Sequence, residues 1–215
     1  MVINTINKIF KTKFGGGEDS VEPKEFDYID FINTMKKKKQ GLMSKKQYKI
    51  ISKELATVAP CNLLVFGLGE DSYLWRGINI QGDTVFIEDN KEWIESVNNG
   101  TLNVHLVEYT TSVEDYEEIG FDENQLKMEL PESVLDKRYD FIIVDAPLGH
   151  QPPRPYNGPG RMSSIYTANK LLKKGGVAVI DDMGRKVERE YSNHYFGKEN
   201  RYAFIENKVG FFRKV

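Results

Sequence analysis

The stretch that most constrains the fold is an apolar run that stops on a glycine turn, Leu63-Leu64-Val65-Phe66-Gly67-Leu68-Gly69. Ser72 follows it, then a second apolar run, Thr84-Val85-Phe86-Ile87, closes on Glu88. Runs this continuous suit strands buried on both faces, as in a parallel sheet. Strand, glycine turn, crossover helix and second strand ending on an acid make one half of a nucleotide-type site. The glycines admit backbone close to a ligand, the helix start offers N–H groups, and the acid accepts from ribose hydroxyls. Gly67 and Glu88 stand 21 residues apart, close to the roughly 20 such a unit needs. Ser72 stands where a third glycine would fall, and a bare Gly-x-Gly also fits a plain tight turn.

The remaining chain alternates in the same way. Ser44 caps a predicted helix to Ala59, ahead of Pro60. A helix is predicted over Asn90–Asn98 with Asp89 at its cap, and a strand over Val104–Tyr109. Residues 110–136 are polar and irregular. Tyr139–Val144 is a central strand ending on Asp145. Five of the eight prolines fall in 146–160, a loop long enough to act as a binding lid. A helix over Met162–Leu172, a Lys173–Gly176 turn, a strand Val177–Ile180 ending on Asp181-Asp182, and a closing hairpin over 202–212 complete the order. The predicted class is α/β: a Rossmann-like, doubly wound, mostly parallel sheet with an antiparallel C-terminal edge hairpin. Residues 1–43 read as a partly flexible, helical extension and 44–215 as the folded domain.

Composition removes several classes of partner. A net charge of −2 supplies no global field toward nucleic acid or anionic membrane. A single cysteine, Cys61, allows no internal disulfide or cysteine-held metal cluster and reads as a small buried filler. No apolar run approaches the roughly 18 residues of a membrane span. No signal peptide is visible, so the chain reads as soluble, cytoplasmic by default. Oligomeric state is not legible.

The acids carry the chemistry. Glu88, Asp145, Asp181 and Asp182 each end a predicted strand at the same edge, where open α/β sheets bind ligands. The run Lys173-Lys174-Gly175-Gly176-Val177-Ala178-Val179-Ile180-Asp181-Asp182, with Val144-Asp145-Ala146 before it, resembles class I S-adenosylmethionine-dependent methyltransferases. In the metal-dependent, catechol-type members, an Asp after strand four and an Asp-Asn pair after strand five hold Mg²⁺, and Asp145, Asp181 and Asp182 fall where those ligands would. Three oxygen ligands suit a hard cation such as Mg²⁺ or Mn²⁺, with Co²⁺ a further option.

A closer resemblance rests on four blocks: Cys61–Gly69, Phe86–Ile94, Val144–Pro147 and Gly160–Ala168. They are similar to the polysaccharide-biosynthesis family (DUF579) that includes plant glucuronoxylan 4-O-methyltransferases. That resemblance implies methyl transfer from S-adenosylmethionine to a sugar hydroxyl of a carbohydrate acceptor. On this reading Gly67, Gly69, Ser72, Glu88, Asp89 and Asp145 bind the cofactor. Asp145, His150 and Asp182 surround the acceptor hydroxyl; His150, with an ordinary pKa near 6.5, is the candidate base. Arg154 and Arg161 suit a uronic-acid carboxylate, and Tyr166 a sugar ring. A nicotinamide-dependent oxidoreductase and an inactive cofactor-binding module remain open alternatives.

Overall fold

The computed structural model describes residues 26–38, 43–149 and 158–215. Two helices precede the sheet: α1, Tyr28–Lys37, and α2, Lys45–Ala56. Ser44 caps α2 in a reciprocal box with Gln47, each satisfying the other's backbone N–H. Then come β1 (Asn62–Phe66), α3 (Ser72–Ile78), β2 (Asp83–Glu88), α4 (Lys91–Val97) and β3 (Asn103–Leu106). Three single-turn helices follow, α5 (Tyr116–Ile119), α6 (Glu123–Leu126) and α7 (Glu132–Leu135). The second half is β4 (Tyr139–Val144), α8 (Met162–Leu171), β5 (Leu172–Ile180), α9 (Lys186–Ser192), β6 (Arg201–Ile205) and β7 (Val209–Arg213).

The seven strands lie in the order β3-β2-β1-β4-β5-β7-β6. The first five pair in parallel, and β7 inserts antiparallel between β5 and β6. The chain therefore has the predicted Rossmann-like class I methyltransferase fold with its antiparallel terminal hairpin. The all-parallel order 3-2-1-4-5-6 of dinucleotide enzymes is not present, which disfavours the nicotinamide alternative.

Strand residues alternate between two cores because successive side chains leave opposite faces of a sheet. Leu64, Phe66, Ile142, Val144, Ala178 and Ile180 face α8 and α9. Leu63, Val65, Phe141, Ile143, Val177 and Val179 face the side built by α1, α2 and α3. Both faces are covered, so the strands read as unbroken apolar runs. Ile32 and Met35 of α1 are buried in this second core, and the ring of Phe26 fills the space over Gly77. The segment read as an extension thus contributes a helix to the packed unit.

Three local expectations shift. Asn90, not Asp89, caps α4, accepting from the Trp93 N–H at 2.8 Å. The third strand ends at Leu106, short of Tyr109. Lys173–Gly176 is no turn: β5 starts at Leu172 directly after α8, with Gly175 at φ +80°, and slips register against β4 between Tyr139 and Phe141.

Candidate active site

Strand order reverses at β1 and β4, whose carboxyl ends open the crevice that ligands of this architecture use. Gly67 sits there at φ +113°, and a Cβ on it would lie 3.1 Å from the Cβ of Ala146. Glycine is needed for both reasons: the backbone is left-handed, and the turn approaches the end of β4 closely.

The turn is held by its neighbours. The Leu68 N–H donates to Glu88 at 2.9 Å, and the Gly69 N–H donates to the Ser72 hydroxyl at 2.9 Å. The indole of Trp93 donates to the Leu68 carbonyl at 2.6 Å. Ser72 is 1% exposed, and its hydroxyl closes the turn. Glu88 also accepts from the Asn90 N–H at 3.0 Å. Each of its oxygens then keeps a lone pair for a ribose hydroxyl. Burial pushes its carboxyl up, two backbone N–H groups pull it down, and exposed Asp89 raises it further.

Beyond β4 and β5 the acids converge. Asp145, Asp181 and Asp182 each place an oxygen within 4.8 Å of the others. Asp182 adopts φ +59°, a conformation unusual for a residue with a Cβ. Arg161, 3% exposed, stands at their centre. Its Nη2 donates to the Asp145 carbonyl at 2.7 Å and to the Asp145 carboxylate at 3.0 Å, and forms an ion pair with the Asp182 carboxylate at 3.0 Å. Its Nη1 lies 4.0 Å from Asp181 and has no hydrogen-bond acceptor among the described residues. The fork expected to meet an acceptor's carboxylate thus contacts the protein's own aspartates, with Nη1 left without an acceptor among the described residues. Arg185 pairs with Asp182 at 3.0 Å and with buried Glu188 at 3.4 Å. Lys208, from the β6–β7 turn, reaches Asp181 at 3.4 Å and Asp182 at 3.3 Å. Burial drives the Asp145 carboxyl well above the usual carboxylate range; Arg161 pulls it back, and Asp181 and Asp71 push it up again.

The donor set suits a hard divalent ion in type and spacing, and the buried Asp181 Oδ1 has no hydrogen-bond partner among the described residues. The other oxygens already face three cations. Lys208, the most exposed of these at 34%, bridges Asp181 and Asp182 and is the group an incoming ion would displace. Lys208→Ala is therefore expected to bind Mn²⁺ more tightly than the unaltered chain in calorimetric titration. Equal affinities would show that an ion, if held at all, sits elsewhere.

Of the remaining expected residues, His150 and Arg154 lie outside the described residues. Among the flanking described residues, the Gly160 N–H donates to the Leu148 carbonyl at 3.3 Å and the Val113 N–H to the Gly158 carbonyl at 2.9 Å. The Tyr166 hydroxyl donates to Glu123 at 3.0 Å, and its ring meets Tyr195 edge-on at 5.4 Å. Cys61 lies at the opposite end of the sheet beside a cavity of about 350 Å³ lined by Pro60, Asp140, Lys173 and Arg213. Burial pushes its thiol up to about 12, which fits a filler and no nucleophile.

Four site residues went unread in the sequence: Asp71, Tyr109, Arg185 and Lys208. Tyr109, past the end of β3, hydrogen-bonds Ser164 at 3.0 Å, and the charges of Asp89, Glu88 and Arg161 all act on it. Its place at the same edge as the acids was an available signal. Arg185 and Lys208 stand in a loop and a hairpin turn, where a basic residue is ordinarily solvated, and only the fold turns them inward.

The IRX15/IRX15L/GXM family model matches residues 46–122 and 117–212. The chain belongs to this family. Among IRX15/IRX15L/GXM relatives from Arabidopsis thaliana, it is 37% identical to Glucuronoxylan 4-O-methyltransferase 2 over 62% of this chain and 53% of that one. It is 34% identical to Arabinogalactan O-methyltransferase 2, over 63% and 55%, and 36% identical to Protein IRREGULAR XYLEM 15, over 74% and 56%. The chain thus spans little more than half the length of these relatives. Among solved structures, the family member resembles a candidate caffeoyl-CoA O-methyltransferase from Staphylococcus aureus, with a TM-score of 0.55 at 14% identity over 99% of this chain and 100% of that one. It also resembles the MycE methyltransferase of mycinamycin biosynthesis, with a TM-score of 0.52 at 13% identity over 89% and 55%. These likenesses show the fold.

Proposed function

We propose that this chain transfers a methyl group from S-adenosylmethionine to a sugar hydroxyl of a polysaccharide. The observation that carries the reading is the crevice between the ends of β1 and β4, with Glu88 on one side and the partly exposed Asp145 on the other. Relatives named for glucuronoxylan and arabinogalactan methylation supply the acceptor class.

Glu88, fixed by two backbone N–H groups, receives the ribose hydroxyls through its remaining lone pairs. The Gly67–Gly69 turn lets the methionine end lie against backbone, and Tyr109 walls the adenosine side. The acceptor hydroxyl enters over Asp145. Its oxygen attacks the methyl carbon in line, the methyl–sulfur bond breaks, and the electron pair stays on sulfur, leaving a neutral thioether. The hydroxyl proton passes to the Asp145 carboxylate, whose raised proton affinity suits that task. Arg161, donating to both the carbonyl and the carboxylate of Asp145, orients the group. A divalent ion, if bound by Asp145, Asp181 and Asp182, would supply Lewis-acid stabilisation of the alkoxide.

Cofactor binding by Glu88→Gln tests the reading. The substitution keeps the shape but replaces one acceptor oxygen with a donor and removes the charge. S-adenosylhomocysteine affinity is expected to fall about tenfold or more, the scale of a lost charge-assisted hydrogen bond. Undiminished affinity, read by calorimetry, would remove Glu88 from the ribose site. Failure of the unaltered chain to bind S-adenosylhomocysteine would overturn the cofactor itself.

A further inference from the structure

Two acids of the crevice, Glu88 and Asp71, have no ion pair among the described residues, and of these Glu88 is held by two backbone N–H groups. Asp71 follows the glycine turn and precedes α3, yet its side chain caps nothing there. Its Oδ2 accepts from the hydroxyl of Tyr48 at 3.0 Å, and Tyr48, from α2, is fully buried. Its Oδ1 lies over the turn, 2.6 Å from where a Cβ on Gly69 would stand. Its charge reaches both Asp145 and Asp181, so it belongs to the same crevice. Arg161, Arg185 and Lys208 pair with Asp145, Asp181, Asp182 and Glu188. No ion pair among the described residues includes Asp71. A neutral phenol is the strongest donor it has, and burial raises its proton affinity accordingly. A half-buried carboxylate held in one orientation is stabilised in its charged form by any cation brought to it from outside.

Resting on the cofactor reading above, we infer that Asp71, oriented by Tyr48, binds the α-ammonium of the cofactor's amino-acid moiety. The turn brings Gly69 and Asp71 Oδ1 to one point, and the methionine end is the part of the cofactor that carries an ammonium. Tyr48 is a positioning residue, so α2 ahead of the sheet helps to build the cofactor site.

The test compares two ligands across three proteins. S-adenosylhomocysteine carries the ammonium; 5′-methylthioadenosine shares its adenosine and thioether but lacks the amino-acid moiety. In Asp71→Asn, S-adenosylhomocysteine affinity is expected to fall about tenfold or more, with 5′-methylthioadenosine affinity unchanged. Tyr48→Phe should show the same selectivity to a smaller degree, because the charge stays and only its orientation is lost. Equal losses for the two ligands, or no loss for either, overturn the assignment while leaving the cofactor reading intact. If the unaltered chain binds neither ligand, both proposals fall. A merely structural role for Asp71 would move both affinities together, so the difference between ligands decides.

Discussion

Replacing Arg161 with methionine is expected to destabilise the protein by about 3–5 kcal/mol, the cost of removing one partner from a buried ionic cluster. The side chain is 3% exposed and touches three aspartates. Its removal leaves Asp145, Asp181 and Asp182 facing one another with only Lys208 and Arg185 to offset them. Methionine fills the volume, so the loss reads charge and hydrogen bonding ahead of cavity formation. Arg161→Lys keeps the charge but cannot reach the Asp145 carbonyl and two carboxylates at once, and an intermediate loss follows. The deficit depends on pH with a defined sign. Burial already raises Asp145 in the folded chain, so the folded state holds a proton that the unfolded state releases, and stability falls as pH rises from the ordinary carboxylate value toward the raised one. Without Arg161 that fall steepens, so the deficit of the methionine variant narrows on acidification. Denaturant unfolding at two pH values measures both effects. A deficit under about 1 kcal/mol near neutrality, within the spread of ordinary surface substitutions and weak pairs, would show that the aspartates do not depend on this arginine.

That arginine also marks where sequence reasoning stops. The sheet was legible because its strands are apolar on both faces and its turns are punctuated by glycine, so the period alone separates strand from helix. The acids were legible because each ends such a strand. What they touch was not. Arg161 sits 16 residues after Asp145 and Lys208 sits 26 after Asp182, separations with no local period to report them. A basic residue in a loop is solvated far more often than buried, and only the return of α8 and of the β6–β7 turn to one edge makes these two exceptions. The Lys173–Gly176 stretch failed for the opposite reason. Lysine and paired glycines carry a strong turn signal, but pairing of Leu172 with Tyr139 draws the segment into β5 and outweighs local preference. Tyr166 has helical spacing from Met162 and could face core or ligand; its partner Glu123 comes from a four-residue helix within a stretch that reads as irregular.

The chemistry of the cluster is tested most directly at Asp145. Its carboxylate lies where β4 ends, beside the glycine turn, and is 30% exposed while its partner Arg161 is enclosed. It is thus the acid of the cluster most open to an incoming hydroxyl, since Asp181 and Asp182 are 3% and 15% exposed. On the proposed reading Asp145 is the base, and a base must be ionised to accept a proton, so its burial-raised proton affinity is expected to set an acid limb. Turnover is present above the raised carboxyl value and lost below it. Asp145→Asn keeps the shape and the backbone carbonyl that Arg161 uses, but cannot accept the proton. Turnover on glucuronoxylan or arabinogalactan is expected to fall about 10²- to 10⁴-fold, the range general base catalysis supplies, with S-adenosylhomocysteine affinity preserved. The residual rate should also lose the acid limb, because the titrating group is gone. Methyl transfer from labelled S-adenosylmethionine, followed across pH in both proteins, reads the two effects together. A variant within tenfold of the unaltered chain and still showing the same limb would place the proton elsewhere. The limb separates a lost base from a cluster that has merely shifted: a displaced but intact base slows turnover without abolishing its pH dependence.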